Sequence, residues 1–263
     1  MEYMAHLRPV IALLTDFGLT DNFVGVMKGV IARHCPEANV IDLAHGVPRH
    51  SVLHAALTLL GSWRHFPEGT VFAVVVDPDV GTERKIVAVR AGAYTFIAPD
   101  NGCLSPVADA IGGAEYYEIT YRPESGLSST FHGRDIFAPV AGMLAAGKSV
   151  KDLGKRVSGI ARFEIPKPRP VSSNSIAGEI VYIDSFGNAM SNISRADMRG
   201  NARIRVGTLD IDGICASYAE KETGRPLAIF NSFDMLEIAV NKGSASGELG
   251  ISIGQQVVVE FKE

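Results

Sequence analysis

The chain has 263 residues, of which 46% are hydrophobic and 21% are charged, an ordinary composition for a globular protein of one or two domains. Its formal net charge is −4 and no basic run stands out, so we expect no nucleic-acid partner. No apolar stretch approaches the length that spans a bilayer, so we expect no membrane partner either.

The amino terminus and the cysteines together indicate a cytoplasmic protein. The opening residues, MEYMAHLRPV, lack the charged-then-apolar pattern of a signal peptide. Cys35, Cys103 and Cys215 are odd in number, widely separated and without metal-ligand spacing. They are therefore predicted to be reduced and mostly buried thiols.

The first part of the chain alternates aliphatic runs with helical patterns. Residues 10–14 (VIALL) predict a buried strand that ends at the sequence T-D-F-G. In the helix that follows, Gly25 and Gly29 lie four residues apart, which we expect to let this helix approach a neighbour closely. The alternation continues to a helix predicted over residues 136–146. It indicates an α/β fold with a mainly parallel sheet and flanking helices.

The pattern changes at residues 165–170 (IPKPRP), where alternate prolines favour an extended linker. Beyond them helical periodicity almost vanishes, and short β-like runs are separated by glycine and asparagine turns. This composition predicts a small all-β domain, a barrel or a sandwich. We therefore expect two domains, residues 1–168 and residues 169–263.

Acidic residues follow two of the predicted strands. Asp16 comes after the first strand and Asp77 after the third, with Arg84 seven residues later. Ligands of open α/β sheets gather at the carboxyl ends of the strands, but both the dinucleotide fingerprint and the phosphate loop are absent. A carboxylate there suits the two hydroxyls of a ribose, because it accepts two hydrogen bonds. The structural alternatives are a turn or capping aspartate for Asp16, and a capped turn or surface salt bridge for Asp77 and Arg84.

Three further segments combine polar and aromatic residues. Residues 130–135 (TFHGRD) place His132 before a helix for which Asp135 is a natural cap. Residues 184–188 (DSFGN) carry an acid, an aromatic ring and an amide at a strand end, and residues 231–233 (NSF) precede the alternating strand LEIAV. Taken singly, each segment favours a structural role.

His45, His50 and His54 raise the question of a metal. No H-E-x-x-H pattern accompanies them, and no nearby acid or cysteine completes a set of three ligands. We therefore expect neither a metal site nor a cofactor. A metal-dependent hydrolase is the alternative that these histidines would support.

Five motifs occur in the order of one known family: T-D-F-G, V-V-D-P-x-V-G-T-x-R, F-H-G-R-D-I-F-A-P, D-S-F-G-N-A-M-S-N-I and N-S-F…L-E-I-A-V-N-x-G. From about residue 10 to about residue 260 the chain resembles the S-adenosyl-L-methionine hydrolases that form adenosine, relatives of the enzymes that make fluorinated and chlorinated deoxyadenosine. The resemblance implies an α/β domain followed by a β-barrel, and S-adenosyl-L-methionine as substrate. It also implies a homotrimer whose active sites lie between one subunit's first domain and a neighbour's second.

The same resemblance implies roles for individual residues. Asp77, Arg84 and His132 take the positions of a catalytic triad that directs water at C5′ of the ribose. Arg84 would stabilise hydroxide character. Either Asp77 or His132 would take the proton, unless Asp77 only fixes Arg84. The implied substrate contacts are Asp16 on the ribose diol, Phe186 and Asn188 on adenine, Asp184 on the methionine ammonium, Ser232 on its carboxylate, and Glu237 and Val240 in the adenosine pocket, Val240 through its backbone.

Two features separate the hydrolases from the halogenases of this family. The halogenases carry an aromatic residue at the position of Asp77, and the fluorinating enzymes insert a loop for which residues 84–100 leave no room. The chain departs from the family in having Asp79 where a glycine is usual, which adds a charge near Asp77. A halide-using transferase and a non-catalytic nucleoside-binding protein remain as alternatives, and both the preferred sulfonium epimer and the physiological role stay open.

Overall fold

The structure is a computed structural model that describes residues 8–124 and 126–262. These residues form two compact units that divide between Glu164 and Ile165, and the predicted domain boundary after residue 168 lies just beyond that point. Most of the segment that lacks a signal-peptide pattern falls outside the described residues. Within the described ranges no helix has the length and apolar character needed to cross a membrane.

The first unit is one sheet covered by helices, with a π-helical turn, Gly133–Phe137, leading into its last helix. Its strands and helices are β1 (Val10–Thr15), α1 (Phe23–His34), β2 (Asn39–Ala44), α2 (Val52–Ser62), β3 (Val71–Val75), β4 (Ile86–Ala91), β5 (Tyr94–Pro99), α3 (Ser105–Ile111), β6 (Glu115–Ile119), α4 (Ala138–Ala145) and β7 (Gly154–Val157).

The strand order of this sheet is β2-β1-β3-β5-β4-β6-β7. The first four strands in that order are parallel to one another, and each later pairing is antiparallel. Because β6 is antiparallel to β4, it points the same way as the first four, so only β4 and β7 run in the opposite direction. The predicted α/β fold with a mainly parallel sheet is confirmed.

Side chains alternate between the two faces of this sheet, as the pleat of a strand requires. Along β1, Ile11 and Leu13 join the core beneath α1 and α4. Ala12 and Leu14 join the core on the opposite face, beneath α2 and α3. Both faces are therefore buried, which explains why β1 reads as a continuous aliphatic run.

The close contact between helices lies elsewhere than the sequence predicts. A Cβ atom added at Gly25 or Gly29 would meet no atom within 4 Å, so these glycines face open space. A Cβ added at Gly142 of α4 would instead lie 2.8 Å from Cβ of His34 and 3.2 Å from the carbonyl oxygen of Ile31. Gly142 is therefore the residue that lets α4 approach α1, and the predicted role of Gly25 and Gly29 is wrong.

The second unit consists almost entirely of strands. Its elements are β8 (Arg169–Ser172), β9 (Ser175–Ile183), β10 (Ala189–Ser194), β11 (Ala202–Val206), β12 (Leu209–Asp212), β13 (Pro226–Phe230), β14 (Met235–Val240), α5 (Ala245–Leu249) and β15 (Gln256–Phe261).

Each pairing between these strands is antiparallel, in the order β12-β11-β15-β9-β10-β14-β13, and β8 pairs with β9 outside that path. A bridge between Cys215, just after β12, and Ile229 of β13 links the two ends of the order. The sheet thus nearly closes into a barrel around a core that includes Ile204, Ile238 and Val259. The predicted all-β domain is confirmed and is barrel-like.

Two alanine substitutions test which glycine mediates helix packing. Gly142→Ala should lower the free energy of unfolding by about 1–3 kcal/mol, because the added methyl overpacks the contact between α4 and α1. Gly29→Ala should raise it by about 0.5–1 kcal/mol, because alanine favours the helix and meets no neighbour. Urea denaturation followed by circular dichroism measures both. An equal effect of the two substitutions would contradict the assignment.

Candidate active site

A cavity of about 280 Å³ lies in the first unit, where β1 and β3 end. These strands are parallel neighbours in register, with Thr15 opposite Val75, so the residues that follow them emerge at the same edge of the sheet. Asp16 and Asp77 both line the cavity, and His132 lines it from the start of the helical segment after β6.

Three predicted catalytic residues are in direct contact at this edge. Nε of Arg84 lies 2.9 Å from each carboxylate oxygen of Asp77, and Nη2 bonds the same carboxylate. Nη2 also lies 2.7 Å from Nδ1 of His132. The side chain of Asp77 is 5% exposed and that of Arg84 is 11% exposed, so this ion pair is largely withdrawn from water. The structure therefore joins the strand end, the turn and the helix start through one guanidinium.

The contact with Arg84 fixes the protonation of His132. A guanidinium only donates hydrogen bonds, so Nδ1 must accept and the proton of the neutral ring lies on Nε2. Burial, followed by the charge of Arg84, lowers the pKa of His132 below its usual 6.5. His132 precedes the π-helical turn Gly133–Phe137, a conformation found frequently at functional sites. The ring is thus held neutral, with its one N–H on Nε2.

Asp16 is anchored by a backbone N–H, and Nδ1 of His50 lies 4.0 Å from the same carboxylate oxygen. Its Oδ2 accepts a hydrogen bond of 2.9 Å from the backbone N–H of His50, and its side chain is 10% exposed. His50 has a φ of 65°, a left-handed conformation that costs a non-glycine residue energy. Within the described residues Oδ1 of Asp16 has no hydrogen-bond donor. It is therefore available to a ligand in the cavity.

The turn between Asp77 and Arg84 packs against the loop before His132. A Cβ at Gly81, where φ is 83°, would lie 2.3 Å from the carbonyl oxygen of Ser129, so this position admits only glycine. Among the described residues, positive φ outside glycine occurs at His50, Asp234 and Lys242, so Asp79 has an ordinary backbone conformation. Its carbonyl oxygen accepts bonds from Thr82, and the residue is exposed.

Asp135 does not cap the helix, contrary to the sequence prediction. It lies inside the first helical turn, whose capping position is His132. Its Oδ2 accepts a hydrogen bond of 2.8 Å from the backbone N–H of Ser128, and its carboxylate also bonds Arg134. The bond from Arg134 is the main reason that its pKa is lowered. Asp135 therefore ties down the loop that faces Gly81.

A second cavity, of about 360 Å³, lies in the second unit. Four predicted substrate residues line it: Asp184, Asn188, Ser232 and Glu237. Val240 does not, because its side chain is buried in the barrel core. Phe186 also lies outside the lining set, and 76% of it is exposed.

Glu237 is the buried charge of this cavity. It is 5% exposed, its Oε1 accepts a bond of 2.8 Å from the hydroxyl of Tyr218, and its Oε2 accepts one of 3.2 Å from Asn231. Burial, with a contribution from the charge of Asp184, raises the pKa of Glu237. Burial and the bond to Glu237 raise the pKa of Tyr218 to about 12. The cavity therefore contains two carboxylates and lacks a cation among its lining residues, which suits a ligand with a cationic or donor-rich end.

Both carboxylate oxygens of Asp184 accept hydrogen bonds from within its own turn. Its Oδ1 accepts bonds from the backbone N–H groups of Phe186 and Asn188, at 2.9 and 2.8 Å. Its Oδ2 accepts a bond of 3.1 Å from the side-chain amide of Asn188. The turn holds Phe186 outward, so an exposed aromatic ring stands beside the polar cavity.

The three histidines considered as metal ligands have other partners. Among the residues that the structure describes, no group of three or more histidine, cysteine or acidic side chains is placed to hold a metal ion. Nδ1 of His45 lies 2.8 Å from the hydroxyl of Thr15, and its Nε2 lies 2.9 Å from Asp42. His54 is buried in α2, and burial lowers its pKa to about 4.

Several residues at the two cavities were not predicted as site residues. Tyr218 lies in a short helical turn between strands, and no motif marks it, so nothing in the sequence pointed to its bond with Glu237. Phe17 and Phe131 line the first cavity within motifs already noted, and with Phe23 they form a cluster of aromatic rings. The density of phenylalanine around T-D-F-G and F-H-G was the available signal.

Each of the two units matches a model of a known protein family. Residues 11–154 match the family model for the SAM hydroxide adenosyltransferase N-terminal domain, and residues 178–258 match the model for its C-terminal domain. The chain belongs to the SAM hydroxide adenosyltransferase family. This membership confirms the resemblance that the five motifs carry.

Relatives cover nearly the whole chain. An (R)-S-adenosyl-L-methionine hydrolase of Thermus thermophilus is 37% identical over 260 residues, covering 95% of this chain and 99% of its own. A fluorinase of Nocardia brasiliensis is 30% identical, covering 96% and 97% respectively. The crystal structure of a conserved protein from Thermotoga maritima superimposes with a TM-score of 0.87 at 38% identity, covering 95% and 99%. The relatives of this chain thus include enzymes of two activities.

The tautomer and pKa of His132 can be measured directly. Nitrogen-15 NMR of the imidazole should show a neutral ring protonated at Nε2 that titrates below pH 6.5, with the resonance assigned through His132→Gln. Arg84→Met should raise the pKa of His132, because it removes a nearby positive charge. A proton on Nδ1 at neutral pH, or an unchanged pKa in the Arg84 variant, would refute this geometry.

Proposed function

We propose that this protein hydrolyses S-adenosyl-L-methionine to adenosine and L-methionine by attack of water on C5′ of the ribose. The observation that carries the proposal is that Asp77 and His132, which line one cavity with Asp16, are joined by the guanidinium of Arg84. We further propose the (R)-sulfonium epimer as substrate, because relatives that are 35–37% identical over 95% of the chain are named (R)-S-adenosyl-L-methionine hydrolases.

The reaction requires help for its nucleophile rather than for its leaving group. Methionine leaves the sulfonium as a neutral thioether, so no general acid is needed there. Water is a poor nucleophile, and hydroxide is costly to desolvate. Arg84 is suited to stabilise hydroxide character, because within the described residues its Nη1 has no hydrogen-bond partner while Nε and Nη2 are held by Asp77 and His132.

Asp77 is the group that we assign to accept the proton of the attacking water. Nδ1 of His132 is occupied by Arg84 and Nε2 carries a hydrogen, so this ring serves as a donor that orients the water. An arginine-paired carboxylate is a weak base. It suffices nevertheless, because the water becomes strongly acidic as its oxygen bonds to carbon. The C5′–S bond breaks as the O–C5′ bond forms, and the proton passes from Asp77 to solvent.

The remaining site residues are assigned by their position. Asp16, with Oδ1 available in the first cavity, accepts hydrogen bonds from the ribose hydroxyls. In the second cavity, Oδ2 of Asp184 accepts a hydrogen bond from the ammonium group of methionine, and Ser232 bonds its carboxylate. Adenine stacks on the exposed ring of Phe186. It bonds Asn188 at its edge, and Glu237 lines the adenosine pocket, whereas Val240, the other residue implied there, lies outside this cavity.

We propose a homotrimer in which the first unit of one subunit completes its site with the second unit of a neighbour. Each unit exposes apolar side chains beside its cavity, an arrangement typical of surfaces that are covered in an assembly. In the first unit these are Leu19 and Phe23, which are 72% and 40% exposed. In the second unit they are Phe186 and Phe233, which are 76% and 41% exposed.

We propose that the protein acts in the cytoplasm. Its three cysteines are free and buried, which suits a reducing compartment.

Isotope labelling tests the reaction. Incubation with S-adenosyl-L-methionine in ¹⁸O-water containing chloride should yield adenosine that carries ¹⁸O at its 5′ oxygen. Asp77→Asn should reduce the rate by about 10²–10⁴-fold, because it removes the proton acceptor and loosens Arg84. Liquid chromatography with mass spectrometry identifies the products. Ser105→Ala, which removes a buried hydroxyl outside both cavities, is the control variant.

Each other result has a distinct meaning. Chlorodeoxyadenosine would identify a halide transferase. Turnover that stops with a chelator would indicate a metal-dependent hydrolase. Tight adenosine binding without turnover would leave a nucleoside-binding protein, and would end the proposal of catalysis.

Complementation tests the shared sites. Asp77→Asn and Phe186→Asp each disable one unit, so each variant alone should be nearly inactive. If a cyclic trimer shares its sites between subunits, co-expression of the two should give mixed trimers in which about a third of the sites combine intact halves. Activity of purified mixed trimers, with mass from light scattering, measures this. A monomer, or mixed oligomers without recovered activity, would contradict the proposal.

A further inference from the structure

A buried chain of hydrogen bonds leads from the surface of the first unit to the residue before Asp16. Nζ of Lys28 lies 2.7 Å from Oδ2 of Asp42, and Oδ1 of Asp42 lies 2.9 Å from Nε2 of His45. Nδ1 of His45 lies 2.8 Å from the hydroxyl of Thr15. Thr15 is fully buried and His45 is 4% exposed, whereas Lys28 and Asp42 are partly exposed. None of these side chains lines the cavity.

The direction of each bond in this chain is determined by its neighbours. The backbone N–H of Phe17 donates to the hydroxyl oxygen of Thr15, which leaves the hydroxyl proton free to bond Nδ1 of His45 when the ring carries its proton on Nε2. Nε2 of His45 faces a carboxylate and therefore carries the ring proton. Each polar atom then has one suitable partner. A satisfied buried network of this kind holds its members in a single arrangement.

The segment that supplies His45 contacts the T-D-F-G loop at three points. Besides the side-chain bond to Thr15, the carbonyl oxygen of His45 accepts a bond of 2.8 Å from the backbone N–H of Gly18. The backbone N–H of His50 donates to Asp16. The pairing of β1 with β2 also shifts register between Leu13 and Leu14, next to this contact. Such irregularities redirect side chains near functional sites.

We infer that Asp42, His45 and Thr15 are positioning residues that hold Asp16 in the orientation required to bind a vicinal diol. They thereby set the preference of the site for a ribonucleoside over a deoxyribonucleoside. This inference rests on the role proposed for Asp16. Thr15 fixes the backbone on one side of the carboxylate, while residues 45–50 fix its Oδ2 from the other side, so Oδ1 meets the diol in one geometry.

Calorimetric titration with adenosine and with 2′-deoxyadenosine tests the inference on the full chain. Thr15→Val keeps the volume of the side chain but removes the hydroxyl, and Thr15→Ser keeps the hydroxyl. The wild-type protein should prefer adenosine. Thr15→Val should weaken adenosine binding by about tenfold while leaving 2′-deoxyadenosine binding unchanged, because hydrogen bonds to a charged group weaken when their geometry is lost. Thr15→Ser should retain the preference.

Two further variants separate positioning from general stability. Asp42→Asn, at a partly exposed position, weakens the same chain of hydrogen bonds with less risk to folding. It should reproduce the loss of preference for adenosine. Ser105→Ala also removes a buried hydroxyl from the first unit, but at a distance from the chain. It should lower the melting temperature without changing the ratio of the two affinities.

The outcomes are distinct. An unchanged affinity ratio in both Thr15→Val and Asp42→Asn, with a lower melting temperature, would show a purely structural network and overturn the inference. Equal affinity of the wild-type protein for the two nucleosides would instead overturn the diol-binding role of Asp16, and the inference with it. The inference would be supported if Asp42→Asn loses the preference for adenosine over 2′-deoxyadenosine and Thr15→Ser retains it.

Discussion

A carboxylate at the end of a buried strand is costly to desolvate unless a cation is bonded to it. Asp77 is in this situation, and Arg84 satisfies both of its oxygens. The pair dictates much of what surrounds it. The chain between Asp77 and Arg84 must turn back within seven residues, and in this turn Gly81 packs closely against the carbonyl oxygen of Ser129. The guanidinium of Arg84 then selects the tautomer of His132. Removing either charge would leave the other buried and unpaired, so this one contact joins stability to chemistry.

The sequence predicted the fold because hydrophobic periodicity reports which faces of an element are buried. The aliphatic run of β1 and the alternation along β11, where Arg203 and Arg205 are exposed between buried residues, are both unambiguous. Periodicity does not report which helix pair packs closely. Gly25 and Gly29 have a spacing typical of close packing, but the contact is made by Gly142, whose neighbours are set by tertiary structure. Strand β10 lies inside a motif considered for its polar residues, and β13 is short and begins with proline, so periodicity marks neither of them clearly.

The candidate site was predictable to the extent that motifs are local. Asp16 and Asp77 could be placed together because parallel neighbouring strands end at one edge of a sheet. The bond between Asp184 and its own turn is also local, and it explains why an aspartate, a glycine and an asparagine occur within five residues. The bond between Tyr218 and Glu237 joins residues 19 positions apart, and it depends on how the barrel closes. No pattern in one sequence carries that information.

The charge of Asp77 also bears on the choice between water and halide as nucleophile. A halide entering the first cavity would be repelled by the carboxylates of Asp16 and Asp77. Arg84 is already bonded to Asp77, which leaves Arg49 as the arginine among the residues that line the cavity. Water suffers no such repulsion and gains an acceptor for its proton. The alignment with the fluorinase of Nocardia brasiliensis extends over 293 positions, more than the 263 residues of this chain, so the fluorinase contains segments that are absent here. This chain therefore differs from that fluorinase in length as well as in sequence.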